Sequence, residues 1–262
     1  MKILVATHKA YWMPEDDIYL PLHVGREGKE DLGFIGDNTG DNISAKNDNY
    51  CELTGLYWAW KNLPCDYIGL VHYRRYFNFK SPNSYFGQIS ILPSQENINN
   101  YSHINKKLLS EYISKNDVIL PKKFDLGMTM MEHYKSSHIA SDWDLLKNVA
   151  LELYPEYEAT WCDVEQEHKI YICNMFISQK KLFDGYMKWL FSILFELEKH
   201  IKISSDPYQK RVFGFMSERL FNIYIKKQKL KIKELPIVFF DENLTNIQLV
   251  KNKIKEYLQI KA

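Results

Sequence analysis

Short continuous apolar runs alternate with stretches of helical period along this chain. The opening "KILVAT", Lys2 to Thr7, is a β-branched run that reads as a first strand. From Tyr11 to Asn49 the pattern dissolves into Gly, Asp and Asn, as in "GFIGDNTGDNISAKNDN", and predicts a long ordered loop. In "YCELTGLYWAWKNL" the residues Leu53, Leu56, Tyr57 and Trp60 fall at i, i+3, i+4 and i+7, so a helix turns one face to a core. "DYIGLVH" is a second clear strand, followed by a polar stretch from Lys80 to Asn105 that reads as an insertion or a mobile loop.

Beyond it, "KKLLSEYISKN" predicts a helix, "DVILPKK" a strand stopped by Pro121, and Asp142 to Glu152 a helix ended before Pro155. "KIYICNMFISQKKLF" contains an apolar strand interrupted by a polar Asn174. "FDGYMKWLFSILFELEKHI" is a helix apolar on more than one face, so it should be well buried. "DPYQKRVFGFMSERLFNIYIKK" predicts another, with Asp206 as N-cap and Pro207 at the first position. The strand segment "KIKELPIVFF" and a basic helix over 246–260 close the pattern. Strands alternating with helices predict an α/β fold, a mainly parallel central sheet flanked by helices. With no repeat or linker, residues 1–262 read as a single domain.

Composition narrows the function. Lys and Arg total 34 against 33 Asp and Glu, so bulk attraction to nucleic acid is not expected and only a local basic patch remains. No apolar run is long enough for a signal peptide or a membrane span, which gives a cytoplasmic expectation. Cys51, Cys65, Cys162 and Cys173 have no metal-knuckle or redox spacing and read as packed free thiols.

The chemistry concentrates where "YIGLV" runs into "HYRRYF". Open α/β sheets bind ligands beyond the carboxyl ends of their strands. Alternation along an extended chain would send His72 and Arg74 to one side and Tyr73 and Arg75 to the other. Paired guanidiniums there suit a phosphate or diphosphate; the bland alternative is pairing with carboxylates at the core edge. A metal arm is not evident: His72 has no ligand at i+2, and His133 and His138 stand five apart, wrong for one helical face.

The stretches "VATHK", "IGDNTGDNIS", "NYCELTGLYWAWKN", "YIGLVHYRRYF", "CNMFISQKKLFDGYMKWLF", "YQKRVFGFMSERL" and "KELPIVFF" together resemble the bacterial capsular and exopolysaccharide glycosyltransferases of the HYRRYF type. That family long carried only an unknown-function domain label. The resemblance covers almost the whole chain and implies a GT-A-like (Rossmann-like) fold. It also implies transfer of a sugar from a nucleotide-sugar donor to a saccharide or lipid-linked saccharide acceptor in surface-polysaccharide or lipopolysaccharide assembly. UDP-galactose, pyranose or furanose, is the first donor to consider.

In the wider GT-A group a strand ends in Asp-x-Asp and holds a divalent cation on the diphosphate; here His72-Tyr73-Arg74 stands in that place. Arg74, Arg75 and His72 would then stabilise the leaving diphosphate themselves. No cofactor is required on that reading; the alternative is Mg²⁺ or Mn²⁺ held by a loop carboxylate such as Asp37 or Asp41. The resemblance places Thr7, His8, Lys9, Asp41, Asn42, Glu52 and Asn174 at the donor, with Thr54 and Trp58 on the helix over that pocket. Asp41 and Asn42 could equally be turn formers, and Glu52 a favourable charge at a helix N-terminus. His133, His138, Asp142, Tyr208 and Arg211 are candidate acceptor contacts. If the transfer inverts it needs a general base, for which Glu218 is joined by Asp142, Asp144 and Asp206; if it retains configuration no base is needed, and the Glu218–Arg219 pair could instead be an internal ion pair.

Two other classes compete. One is a module for single-stranded RNA or nucleotides, with Tyr73, Tyr76 and Phe77 stacking on bases and Arg74 and Arg75 on phosphates; the near-zero net charge argues for no nucleic acid partner. The other, a hydrolase or phosphodiesterase, would want a carboxylate-rich metal site that the sequence does not supply. Lysines beside Ile, Leu and Tyr in "IYIKKQKLKIKEL" and "NIQLVKNKIKEYLQIKA" suit either a peripheral helix on the inner membrane face or a surface helix packed through Ile247, Val250, Ile254 and Leu258.

Overall fold

The structure, a computed structural model, describes residues 1–245, so the basic helix expected over 246–260 lies outside the described residues. The other lysine-rich stretch, 223–235, is described, and its Ile223, Tyr224, Ile225 and Leu235 are buried in the core, so it turns no apolar face to a membrane. The chain opens with β1 (Lys2–Thr7), buried on both faces from Ile3 onward as the apolar run requires. The stretch read as one long loop holds β2 (Tyr19–His23), β3 (Ile35–Gly36) and the single turn α1 (Asn47–Tyr50) before the expected helix α2 (Leu53–Asn62). Next come β4 (Tyr67–His72), β5 (Arg75–Phe77), β6 (Gln88–Ile91), α3 (Gln95–Ser102) and α4 (Lys106–Lys115). The Lys80–Asn105 stretch is therefore structured: Oγ of Ser94 caps α3 through the Asn97 N–H, and Ile98 anchors it in the core.

The middle of the chain forms β7 (Val118–Pro121), β8 (Phe124–Asp125), α5 (Met130–Ser137), α6 (Ala140–Leu153), α7 (Glu158–Val164) and β9 (Lys169–Ile170). It ends with β10 (Phe176–Gln179), α8 (Lys180–Glu198), α9 (Val212–Gln228), β11 (Ile232–Leu235) and β12 (Ile237–Phe240). Asp206 does not cap α9. Its Oδ1 accepts the N–H groups of Tyr208 and Gln209, closing a tight turn, and α9 starts only at Val212.

The main sheet runs β11-β7-β10-β4-β1-β2-β3. β4, β1, β2 and β3 are parallel neighbours, as are β7 and β11, while β10 is antiparallel to both β4 and β7. Strand alternation divides the core cleanly. Leu4, Ala6, Ile68 and Leu70 face one side with helices α2, α6, α8 and α9. Ile3, Val5 and Val71 face the other with α3, α4 and the β5–β12 ribbon. The expected architecture, a mainly parallel sheet covered on both faces, is the one observed.

Two features position the site. The parallel register Ala6↔His72 and Thr7↔His23 brings the carboxyl ends of β1, β4 and β2 to one edge. There the chain reverses: β5 folds back on β4 with His72 opposite Arg75, and β12 pairs with β5 from its other side. The reversal overturns the extended alternation expected for His72 to Arg75.

Candidate functional site

A cavity of about 790 Å³ opens at this edge. Its floor is Ala6 and His72 at the strand ends, and one wall is the Tyr73–Arg75 turn. Cys51 and Glu52 ahead of α2 face Tyr208, Arg211, Phe215 and Glu218 from the last third of the chain. His133 and His138 of the α5 region close the remaining side. Ten of the sequence candidates thus meet around one space: His72, Arg74, Arg75 and Glu218, then His8 and Glu52, then His133, His138, Tyr208 and Arg211.

The two arginines hold the most telling position. Among the described residues no carboxylate pairs with either one. Arg74 packs over Tyr73 and Phe239, its guanidinium carbon 5.7 and 5.0 Å from the ring centres, and Arg75 lies 4.6 Å over Phe239. Aromatic faces hold the forks in place and leave their N–H groups to the cavity. His8 stands at the same end; burial lowers its pKa first, followed by Lys9, Lys29, Arg211 and Arg74. This pole is cationic, and a neutral imidazole sits within it.

The cavity also carries carboxylates. Glu218 accepts the Cys173 N–H at 2.8 Å on Oε1 and the Arg219 guanidinium at 2.9 Å on Oε2. Burial raises its pKa, and Arg219 and the Cys173 N–H offset that only in part. Arg219, almost fully buried, also donates to the Phe215 carbonyl and reaches Nδ1 of His133 at 3.1 Å. A guanidinium only donates, so His133 must present Nδ1 as an acceptor. Burial and Arg219 both lower the His133 pKa.

His138 stacks on Phe215 with ring centres 4.0 Å apart and lies 5.9 Å from half-exposed Tyr208, nearly parallel to both. Burial, then Arg219, pulls its pKa down to about 4. The result is a flat, uncharged aromatic ledge at the cavity edge, suited to the apolar face of a ring such as a sugar. Phe215, Asn47 and Asp48 also line the cavity and were missed in the sequence, where no residue type or spacing marks them.

Six of the donor and acceptor candidates do not line the space, and neither do the candidate bases Asp144 and Asp206. Thr7 is buried and donates to the Lys9 carbonyl, while Lys9 points to Glu242 over Tyr11 and Tyr73. Asp41 accepts the Tyr57 hydroxyl, and Asn42 bridges Gly40 and Ser44, so these two build the loop. Asp142 is buried on α6. Asn174 is not in a strand at all. Cys173 and Asn174 both take positive φ, 69° and 51°, and break the run before β10; the Asn174 amide turns inward to Glu52 and Ser217. The RNA platform is also corrected: Tyr76 and Phe77 are core residues with at most 1% exposure, so neither can stack on a base.

Among the described residues no cluster of three or more His, Cys, Asp or Glu could hold a metal ion. Asp37, named above as a possible metal ligand, is fully buried and engaged by the Gly25 and Arg26 N–H groups and by the Ser44 and Thr54 hydroxyls. No helix of the described residues is long and apolar enough to cross a membrane.

Residues 2–229 match the model of a domain of unknown function, DUF4422. The chain belongs to that family. Its fold is similar to the apo structure of WbbM, a bifunctional glycosyltransferase, with a TM-score of 0.86 and 36% sequence identity over 92% of the chain. The chain spans 45% of that protein's length. No curated protein matches it.

Proposed function

We propose that this DUF4422 chain is a glycosyltransferase that moves a sugar from a nucleotide-sugar donor to a saccharide or lipid-linked saccharide in surface-polysaccharide assembly. The observation that carries the reading is the pair Arg74 and Arg75, which has no carboxylate partner among the described residues and lines a large cavity at the carboxyl ends of parallel strands. As the bond from sugar to diphosphate breaks, negative charge grows on the leaving phosphate. Two preorganised guanidiniums stabilise that charge without reorganising. The similarity to WbbM, named a bifunctional glycosyltransferase, supports the same activity.

On this reading the cationic end, His8 with Arg74 and Arg75, takes the nucleoside diphosphate. The ledge of Tyr208, His138 and Phe215 takes the acceptor sugar. A UDP-sugar is the first donor to test, with UDP-galactose in pyranose or furanose form at the head of the panel. The chemistry needs no divalent cation, because the arginines occupy the place of the metal-binding carboxylates. The test is a screen of UDP-, GDP- and CDP-sugars for release of nucleoside diphosphate, alongside thermal shift with each nucleotide and with short RNA. Stabilisation by one nucleoside diphosphate and release from its sugar support the reading. Stabilisation by RNA alone would overturn it.

A further inference from the structure

Glu52 occupies the N-cap position of α2, yet its side chain makes no capping bond. It reaches instead across 122 residues of sequence, where Oε1 accepts the Asn174 amide at 2.8 Å. The same amide donates to Oγ of Ser217 at 2.9 Å, so both of its hydrogens are used and its orientation is fixed. Among the described residues no donor reaches Oε2 of Glu52, and the residue lines the cavity. Glu218 differs: both of its oxygens are already engaged, one by a backbone N–H and one by a buried guanidinium.

The backbone tells the same story. Four described residues other than glycine have positive φ, and three of them, Cys51, Cys173 and Asn174, hold the two ends of this contact. Such strain persists only where surrounding structure imposes it, and it concentrates at functional sites. The Cys173–Asn174 turn also supports the other groups: its Cys173 carbonyl meets Nε2 of His72 at 2.7 Å, and its Cys173 N–H holds Glu218. Around Glu52 stand His72 from β4, Arg211 from the turn before α9, Glu218 from α9, and the Cys51 and Cys173 thiols, with Arg75 from β5 beside His72 and Cys173.

Building on the glycosyltransferase reading, we infer that Glu52 is the catalytic base of an inverting transfer and that Asn174 is its positioning residue. In that step the acceptor oxygen bonds to the anomeric carbon while the bond from that carbon to the diphosphate oxygen breaks. The diphosphate leaves with the bonding electron pair. The acceptor's proton passes to Oε2 of Glu52 and from there to solvent.

The test uses the full chain with UDP-galactose as donor and water and methanol as surrogate acceptors, and UDP as the binding probe. Glu52→Gln keeps the shape and the Asn174 contact but cannot take a proton. It should lower turnover by about 10²–10⁴-fold, leave UDP affinity unchanged, and abolish the acid limb of the rate–pH profile. Asn174→Gly tolerates the positive φ; it should lower turnover by about tenfold, move that limb, and leave UDP affinity alone. Methyl β-galactoside as the methanol product marks inversion. Full turnover of Glu52→Gln, or methyl α-galactoside as the product, overturns the inference while the transferase reading stands. A wild-type chain that neither binds UDP nor releases it from any nucleotide sugar removes both.

Discussion

Nε2 of His72 lies 2.7 Å from the carbonyl oxygen of Cys173, 101 residues further along the chain. A carbonyl only accepts, so Nε2 carries the hydrogen and the neutral ring presents Nδ1 unprotonated. Burial lowers the His72 pKa, with Glu52 and the carbonyl pulling against it. His8, His133 and His138 are lowered as well, each by burial first, His138 to about 4.

These shifts carry a signed consequence for stability. Between a folded pKa near 4 and the ordinary 6.5, the unfolded chain binds more protons than the folded one. The histidine contribution is therefore complete above pH 6.5 and is lost as the pH falls towards 4. Glu218, raised by burial, works in the opposite sense, since it stabilises at low pH and loses that contribution as pH rises. We expect the midpoint of thermal unfolding to fall steadily below pH 6.5, and His138→Phe, which keeps the stack on Phe215, to flatten the slope. A midpoint that stays level down to pH 5 would count against the buried neutral histidines.

Arg74→Ala should lower turnover by more than ~100-fold, because it removes a preorganised donor from the leaving phosphate. Its packing partners Tyr73 and Phe239 remain, so thermal stability should change little. The same stabilisation by arginine implies that turnover largely survives EDTA. Complete loss in chelator with recovery in Mn²⁺ would show that carboxylates outside the present assignment hold a metal.

How much of this was legible in the sequence depended on how locally each feature is encoded. β1 and β4 announce themselves as apolar runs because both of their faces are buried. β2 does not: "YLPLH" carries Pro21 and lies among glycines and aspartates, so its pairing with β1 is a tertiary fact. The His72–Arg75 cluster was visible as a polar burst after a buried strand, but the hairpin that places all four residues on one cavity was not. Asn174 was misplaced because "YICNMFIS" reads as one strand, and nothing in the type of Cys173 signals a left-handed conformation. The Glu52–Asn174 contact joins residues too distant for any pattern to connect.

Gly69 offers a test of the sheet that carries the site. A Cβ added there would stand 2.8 Å from the Phe176 carbonyl oxygen and 3.0 Å from Cγ1 of Ile177, both on the antiparallel neighbour β10. Backbone cannot yield as a flexible side chain can. Gly69→Ala should therefore destabilise by about 1–3 kcal/mol, read as a lower denaturant midpoint with an unchanged slope. A neutral effect would mean that β10 moves away freely, and the strand ends at His72 with it.

Asp37 separates two roles that look alike in the sequence, a loop carboxylate that binds a cation and one that holds the loop together. Oδ2 accepts the Gly25 N–H at 2.8 Å and the Thr54 hydroxyl at 2.5 Å, while Oδ1 accepts the Arg26 N–H at 3.1 Å and the Ser44 hydroxyl. The side chain thereby ties the loop after β2 to the start of α2 with no exposure to solvent. Asp37→Asn sets an NH₂ group against donors that need an acceptor. Leaving buried donors unpaired should cost on the order of 3 kcal/mol, which lowers the thermal midpoint by roughly 6–12 °C in a chain of this size. A cation-binding role makes the opposite forecast, with the midpoint preserved in the absence of metal and turnover lost. Measuring both on one preparation of Asp37→Asn decides between them, since a stable but inactive variant would move Asp37 from the scaffold to the chemistry.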